Sequence, residues 1–157
     1  MISDTIKKKI TDAMKTKDEV RVSTLRMLSS ALNYERIALQ RDLVGEDEIK
    51  VVKREANKRK DAIEAFQQAQ GKLTSSDQKS LDEKLEREKE ELAILLKYLP
   101  EQLSDDELGK MIDEAISLTS AESMKDMGKV IGKVMDLVQS RADGGRVAGM
   151  VKNKLIK

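Results

Sequence analysis

One proline, Pro100, stands in a chain of 157 residues. Proline lacks a backbone donor and clashes with the preceding helical turn, so a chain with a single proline permits long helices on either side of it. The side chains available for a core point the same way. Aromatic residues are nearly absent: Phe66, Tyr34 and Tyr98, with no tryptophan. Packing must therefore rest on Leu, Ile, Val, Met and Ala, a set that favours helices, whereas strands draw on β-branched and aromatic residues. The expectation is an all-α protein of two small helical bundles. Residues 1–99 should form antiparallel helical hairpins, and residues 100–157 a three-helix bundle, with Pro100 at the boundary.

Periodicity predicts the elements in turn. A first helix runs from Ser3 or Asp4, either of which can cap it, to Lys15, with Ile6, Ile10, Ala13 and Met14 inward. A second runs from Asp18 to Asp42 and carries the apolar stripe Val20, Leu25, Leu28, Ala31, Leu32, Ala38 and Leu39. Gly45 suits a left-handed C-cap after it. A third spans Glu46 to Gln70, with acids in its first turn, where the helix dipole favours them. Ile49, Val52, Ala56, Ile63 and Phe66 form its inner face. Arg59 falls near the middle of that stripe and should need a carboxylate partner. After a polar loop at 71–76, a fourth helix from Asp77 to Leu99 is lined by leucines and acidic outside. Beyond Pro100, Ser104 and Glu107 have the spacing of a capping box for a helix from Asp105 to Leu118. Ser123 and Asp126 repeat the pattern for a helix from Met124 to Gln139.

What is missing removes whole classes of chemistry. Without cysteine or histidine there is no disulfide framework, no zinc site built on those ligands, no histidine base and no thiol nucleophile. No P-loop, serine motif or acid–base carboxylate pair is recognisable, so no catalytic residue, metal or cofactor is expected. The start, MISDTIKKKITDAMK, has no apolar signal region, and no run approaches the length of a membrane span. A cytoplasmic protein without a membrane partner is expected.

Net charge is only +1, but it is unevenly spread. Residues 1–60 carry fifteen basic and ten acidic side chains, residues 77–107 five and eleven, and residues 120–157 eight and four. Solvated helix faces account for such a pattern. So does a basic surface for a polyanion.

The segment Ser123–Lys157 is the most particular in the chain, holding five of the eight glycines. Drawn as a helix, Met127, Val130, Ile131, Val134, Met135 and Val138 share one apolar sector. Lys125, Lys129 and Lys133 form a narrow stripe on the other side, and Gly128 and Gly132 lie on the border. Each interior glycine costs about 1 kcal/mol relative to alanine, so something is expected to approach closely. Two readings stand: a neighbouring helix packed on the small residues, or an RNA backbone or partner laid against a bare helix flanked by lysines. In SRADGGRV, Asp143 can cap a final helix that Gly144 and Gly145 open. The same free amides, beside Arg141 and Arg146, could hold a phosphate, but Asp143 competes for them. The final helix should place Val147, Met150, Val151 and Leu155 inward and Lys152, Lys154 and Lys157 outward.

Three stretches in order, TLRMLSSALNYE, LLKYLPEQLSDDEL and MKDMGKVIGKVMDLVQSRADGGRVAGMVKNKL, resemble the YqeY family across nearly the whole chain. This family also occurs as the tail domain of the B subunit of the glutamine-dependent tRNA amidotransferase. The resemblance implies an all-helical protein of two bundles. It also implies a tail that contacts tRNA, while carbon–nitrogen ligation, with glutamine as amide donor, takes place in other domains. The match falls on Met127, Gly128, Lys129, Val130, Met135, Arg141, Ala142, Asp143, Gly144, Val147 and Val151. It departs at Ser140, where the family usually has glycine, and at Gly145, where lysine is common; here the cation, Arg146, follows one position later.

Three functions are weighed. The first is a tRNA-binding module connected with amidation, with Lys125, Gly128, Lys129, Lys133, Arg141, Gly144, Arg146 and Lys152 as candidate contacts. The scarcity of aromatics leaves shape and phosphate as its means of recognition. The second is a protein-interaction module that docks on an amidotransferase or another translation-related protein. The third, catalysis by the chain alone, has no residue constellation to support it.

Overall fold

The computed structural model describes residues 1–72, 75–139 and 141–156; the expectations that involve Leu73, Thr74, Ser140 and Lys157 lie outside these. Among the described residues there are seven α-helices, one 3-10 turn and no strand, so the protein is all-α. The chain divides into two compact units, Met1–Leu99 and Pro100–Lys157.

In the first unit, α1 (Ile2–Lys15) packs on α2 (Glu19–Leu39), and α3 (Gly45–Ala69) packs chiefly on α4 (Ser75–Leu96), with α2 also against both α3 and α4. The core is Ile6, Leu25, Leu28, Leu32, Leu43, Val51, Val52, Ala56 and Leu95. Apolar burial of this kind is the main term that holds such helices together.

Several boundaries differ from expectation. Helix α2 ends at Leu39, where Gln40 takes the left-handed conformation (φ 51°) as C-cap. Gly45 is therefore not a cap but the first residue of α3. Asp47 holds that start by accepting from the Val44 amide at 3.0 Å while Arg41 pairs with it at 2.7 Å. Ala38 and Leu39 are exposed, although they continue the apolar stripe of α2 by angle. The inner face of α3 centres on Val51, Val52 and Ala56, and Ile49, Ile63 and Phe66 are only half-buried. Helix α4 stops at Leu96; the amides of Tyr98 and Leu99 then bond three residues back, to Leu95 and Leu96. This tightening accommodates the residue before Pro100, which resists helical geometry.

Neither Ser3 nor Asp4 caps α1. The cap comes from another helix: the carboxylate of Glu48, only 2% exposed, accepts from the amides of Ile2 (2.6 Å) and Ser3 (2.9 Å) and from the Ser3 hydroxyl. Arg59 finds the carboxylates it needs on α4, 3.0 Å from Glu91 and 3.5 Å from Glu88. Its Nε–H is not aimed at the Glu91 oxygen, so that contact is ionic rather than an aligned hydrogen bond. Lys9 sits 4.3 Å from the centre of the Tyr98 ring, a cation–π contact within the unit.

The second unit holds α5 (Asp105–Thr119), the 3-10 turn (Met124–Asp126), α6 (Met127–Val138) and α7 (Gly144–Leu155). Its core is Leu103, Leu108, Ile112, Ala115, Val130, Val134, Val138, Ala142, Val147 and Val151. The Ser104–Glu107 capping box forms as its spacing predicts, with the Ser104 amide donating to Glu107 at 2.9 Å and the Glu107 amide to the Ser104 hydroxyl at 3.2 Å. The amide of Leu103 bonds the carbonyl of Arg141 at 2.9 Å, which ties the segment before α5 to the turn before α7.

Candidate nucleic-acid interface

Helix α6 is built to show one face. In the 3-10 turn that leads into it, Ser123 accepts from the Lys125 amide at 3.3 Å. Asp126 accepts from the amides of Glu122 and Ser123 at 3.2 and 3.3 Å. These amides, the Glu122 amide foremost, together with the charge of Lys129, hold the Asp126 carboxyl below its ordinary range. Every fourth residue from there, Val130, Val134 and Val138, is fully buried. This regular spacing anchors one side of the helix in the core and turns the other outward.

On the outward side Lys125, Lys129 and Lys133 are exposed, and none of them makes an ion pair among the described residues. Gly128 and Gly132 are exposed as well, and a Cβ built on either would meet nothing within 4 Å. The reading in which a neighbouring helix packs on these two glycines is thus overturned within the described residues. Their cost to helix stability, about 1 kcal/mol each, has no packing reason among the described residues. The surface they leave is bare backbone between two lysine-bearing turns.

The turn before α7 has a different character. Asp143 accepts from the Gly145 amide at 2.9 Å and caps α7 as expected, so one of the amides proposed for a phosphate already has an acceptor. Gly144 opens the helix at that cap. Arg146 is committed elsewhere: it makes a two-pronged contact with Asp105, with Nε at 3.0 Å, and donates to the carbonyl of Leu103 at 2.8 Å. It fastens α7 to the start of α5, and it is not a free cation. Arg141 is half-buried, and its charge contributes to holding the Glu107 carboxyl low, though the Ser104 amide is the larger cause. Lys152 is exposed in the second half of α7. Lys154 does not project freely outward as expected; it donates to the Gly109 carbonyl at 3.1 Å and pairs with Asp113.

Of the eight candidate contacts, then, Gly128, Lys129 and Lys133 lie on the outward face of α6, and Lys125 lies in the 3-10 turn just before it. Arg141, Gly144 and Arg146 belong to the turn that locks the bundle, and Lys152 stands on α7. The Arg146–Asp105 and Lys154–Asp113 clamps escaped the sequence reading. The partners are forty-one residues apart, and nothing local marks them. Among the described residues no group of three or more carboxylates stands together as a metal site.

Two compact units of packed helices, with no strand among the described residues, make this an all-α helical-bundle protein. Family comparison gives the particular relationship: residues 3–155 match the model of the YqeY family, described as Yqey-like protein, and the chain belongs to that family. No curated protein matches the chain.

Proposed function

We propose that this protein binds tRNA through the outward face of α6 and serves tRNA-dependent amidation whose chemistry lies on partner subunits. The observation that carries the reading is the stripe Lys125–Lys129–Lys133, unpaired among the described residues, beside two glycines with open space above them. Phosphates approach a helix closely where no side chain intervenes, and flanking ammonium groups supply the attraction. Recognition of this kind reads the shape of a folded RNA. Base stacking plays no part at this face, since α6 and α7 contain no aromatic residue. The link to amidation rests on the resemblance to the amidotransferase tail, and the cytoplasm is the compartment that this role implies. No helix among the described residues is long and apolar enough to cross a membrane.

The test is tRNA binding by the Lys129→Glu, Lys133→Glu double variant in a filter or mobility assay at several salt concentrations. Affinity should fall by more than about tenfold. The slope of log affinity against log salt should flatten by about two, one for each lost phosphate contact. Unchanged affinity and slope would sink the reading.

A further inference from the structure

The first unit carries a second exposed surface, of different composition, on α2. Tyr34 is 74% exposed and Ile37 67%, and Met27 is also exposed. Met27, Ser30, Tyr34 and Ile37 follow one another at separations of three, four and three residues, so they form one stripe along three turns of helix. Beside the stripe runs a groove between α2 and α3, with Met27, Ala31 and Tyr34 along one wall and Arg54, Glu55 and Lys58 along the other. Arg26 stands at one end of it.

The charges of this groove are layered. Arg54 pairs with Glu35 at 2.9 Å, and Lys58 with Glu55 at 2.8 Å. The two cations are half or more exposed, whereas the side chains of Glu35 and Glu55 are mostly covered. A partner therefore meets the ammonium and guanidinium groups first, along the edge of an apolar stripe. The aliphatic members decide what kind of partner fits. Ile37 and Met27 offer a nucleic acid nothing it uses, but a packed helix fills just such a stripe with side chains at helical spacing. Methionine at such a face also adapts to varied partners.

We infer that the α2–α3 groove is a docking site for an amphipathic helix of another protein, one whose apolar face is flanked by acidic side chains. Its leucine-type residues cover Met27, Tyr34 and Ile37, and its carboxylates meet Arg26, Arg54 and Lys58. This surface belongs to the first unit and shares no residue with the lysine stripe of α6, and the inference does not depend on RNA binding.

The experiment uses the full chain and a displayed library of Leu-striped helices whose flanking positions are randomised, with selection at low salt. Enrichment of Glu and Asp at the flanks is expected. A selected peptide, labelled for anisotropy, should bind the Tyr34→Ala, Ile37→Ala variant at least about tenfold more weakly. Both substitutions lie on exposed side chains, and circular dichroism checks that helicity is unchanged. Binding should also weaken for Arg26→Glu, Lys58→Glu. No enrichment, enrichment of basic flanks, or full binding by the Tyr34/Ile37 variant overturns the proposal. So does concentration-dependent self-association that the Tyr34/Ile37 variant abolishes, which would make the occupant a second copy. Protection of Tyr34 by a single-stranded RNA but not by the peptides would equally overturn it, in favour of base stacking.

Discussion

Glu48 shows how much can rest on one side chain. Its buried carboxylate serves three donors at the start of α1, which has no side-chain cap of its own. Removing a buried acceptor leaves its donors unsatisfied, at a cost of about 1–3 kcal/mol. Glu48→Ala should lower the urea midpoint accordingly, and Glu48→Gln, which keeps one oxygen, should lose less. Three other carboxyls act through pH. Arg41 holds Asp47 low, the Ser104 amide holds Glu107 low, and the Glu122 amide holds Asp126 low. A carboxyl with a depressed folded-state pKa contributes stability above its unfolded value and loses it as pH falls through the folded value. Thermal midpoints should therefore hold at neutral pH and drop below the ordinary carboxylate range. Asp126→Asn should shrink that acid-side drop; an undiminished drop would count against the assignment.

At the scale of elements, α6 separates stability from binding. With open space where a Cβ would stand on either glycine, Gly128→Ala and Gly132→Ala add methyl groups that meet no neighbour. Each should stabilise α6 by up to about 1 kcal/mol, read as a higher urea midpoint. If phosphates lie against the bare backbone, the same pair should weaken tRNA binding. Higher stability with undiminished binding would leave the lysines as the only contacts. The apolar side of α6 was legible because Val130, Val134 and Val138 repeat at the helical period. Whether the glycines were packed or open was not, since periodicity orders residues around one helix and says nothing of what stands opposite. Helix α2 shows the same limit. Ala38 and Leu39 continue its stripe by angle, yet they are exposed.

For the molecule as a whole, each unit has its own cluster of buried side chains. We therefore expect residues 1–99 and 100–157, expressed separately, each to give a cooperative, helical unfolding transition. A fragment without one would show that its core needs the rest of the chain. The all-α class was readable from composition and period: few aromatics, one proline, and Leu, Val and Ile at helical spacing leave little else to build. The capping box at Ser104, the cap at Asp143 and the need of Arg59 for a carboxylate were readable too, because each arises from local spacing or from the cost of burying a charge. Tertiary structure alone decided which cations remain available. Arg146 and Lys154 look like members of the basic tail in sequence, but they are consumed by Asp105 and Asp113 across the bundle, while Lys125, Lys129 and Lys133 make no ion pair among the described residues. The reason is physical: helical period is a property of neighbouring residues, whereas an ion pair between distant positions exists only once packing has brought its two helices together.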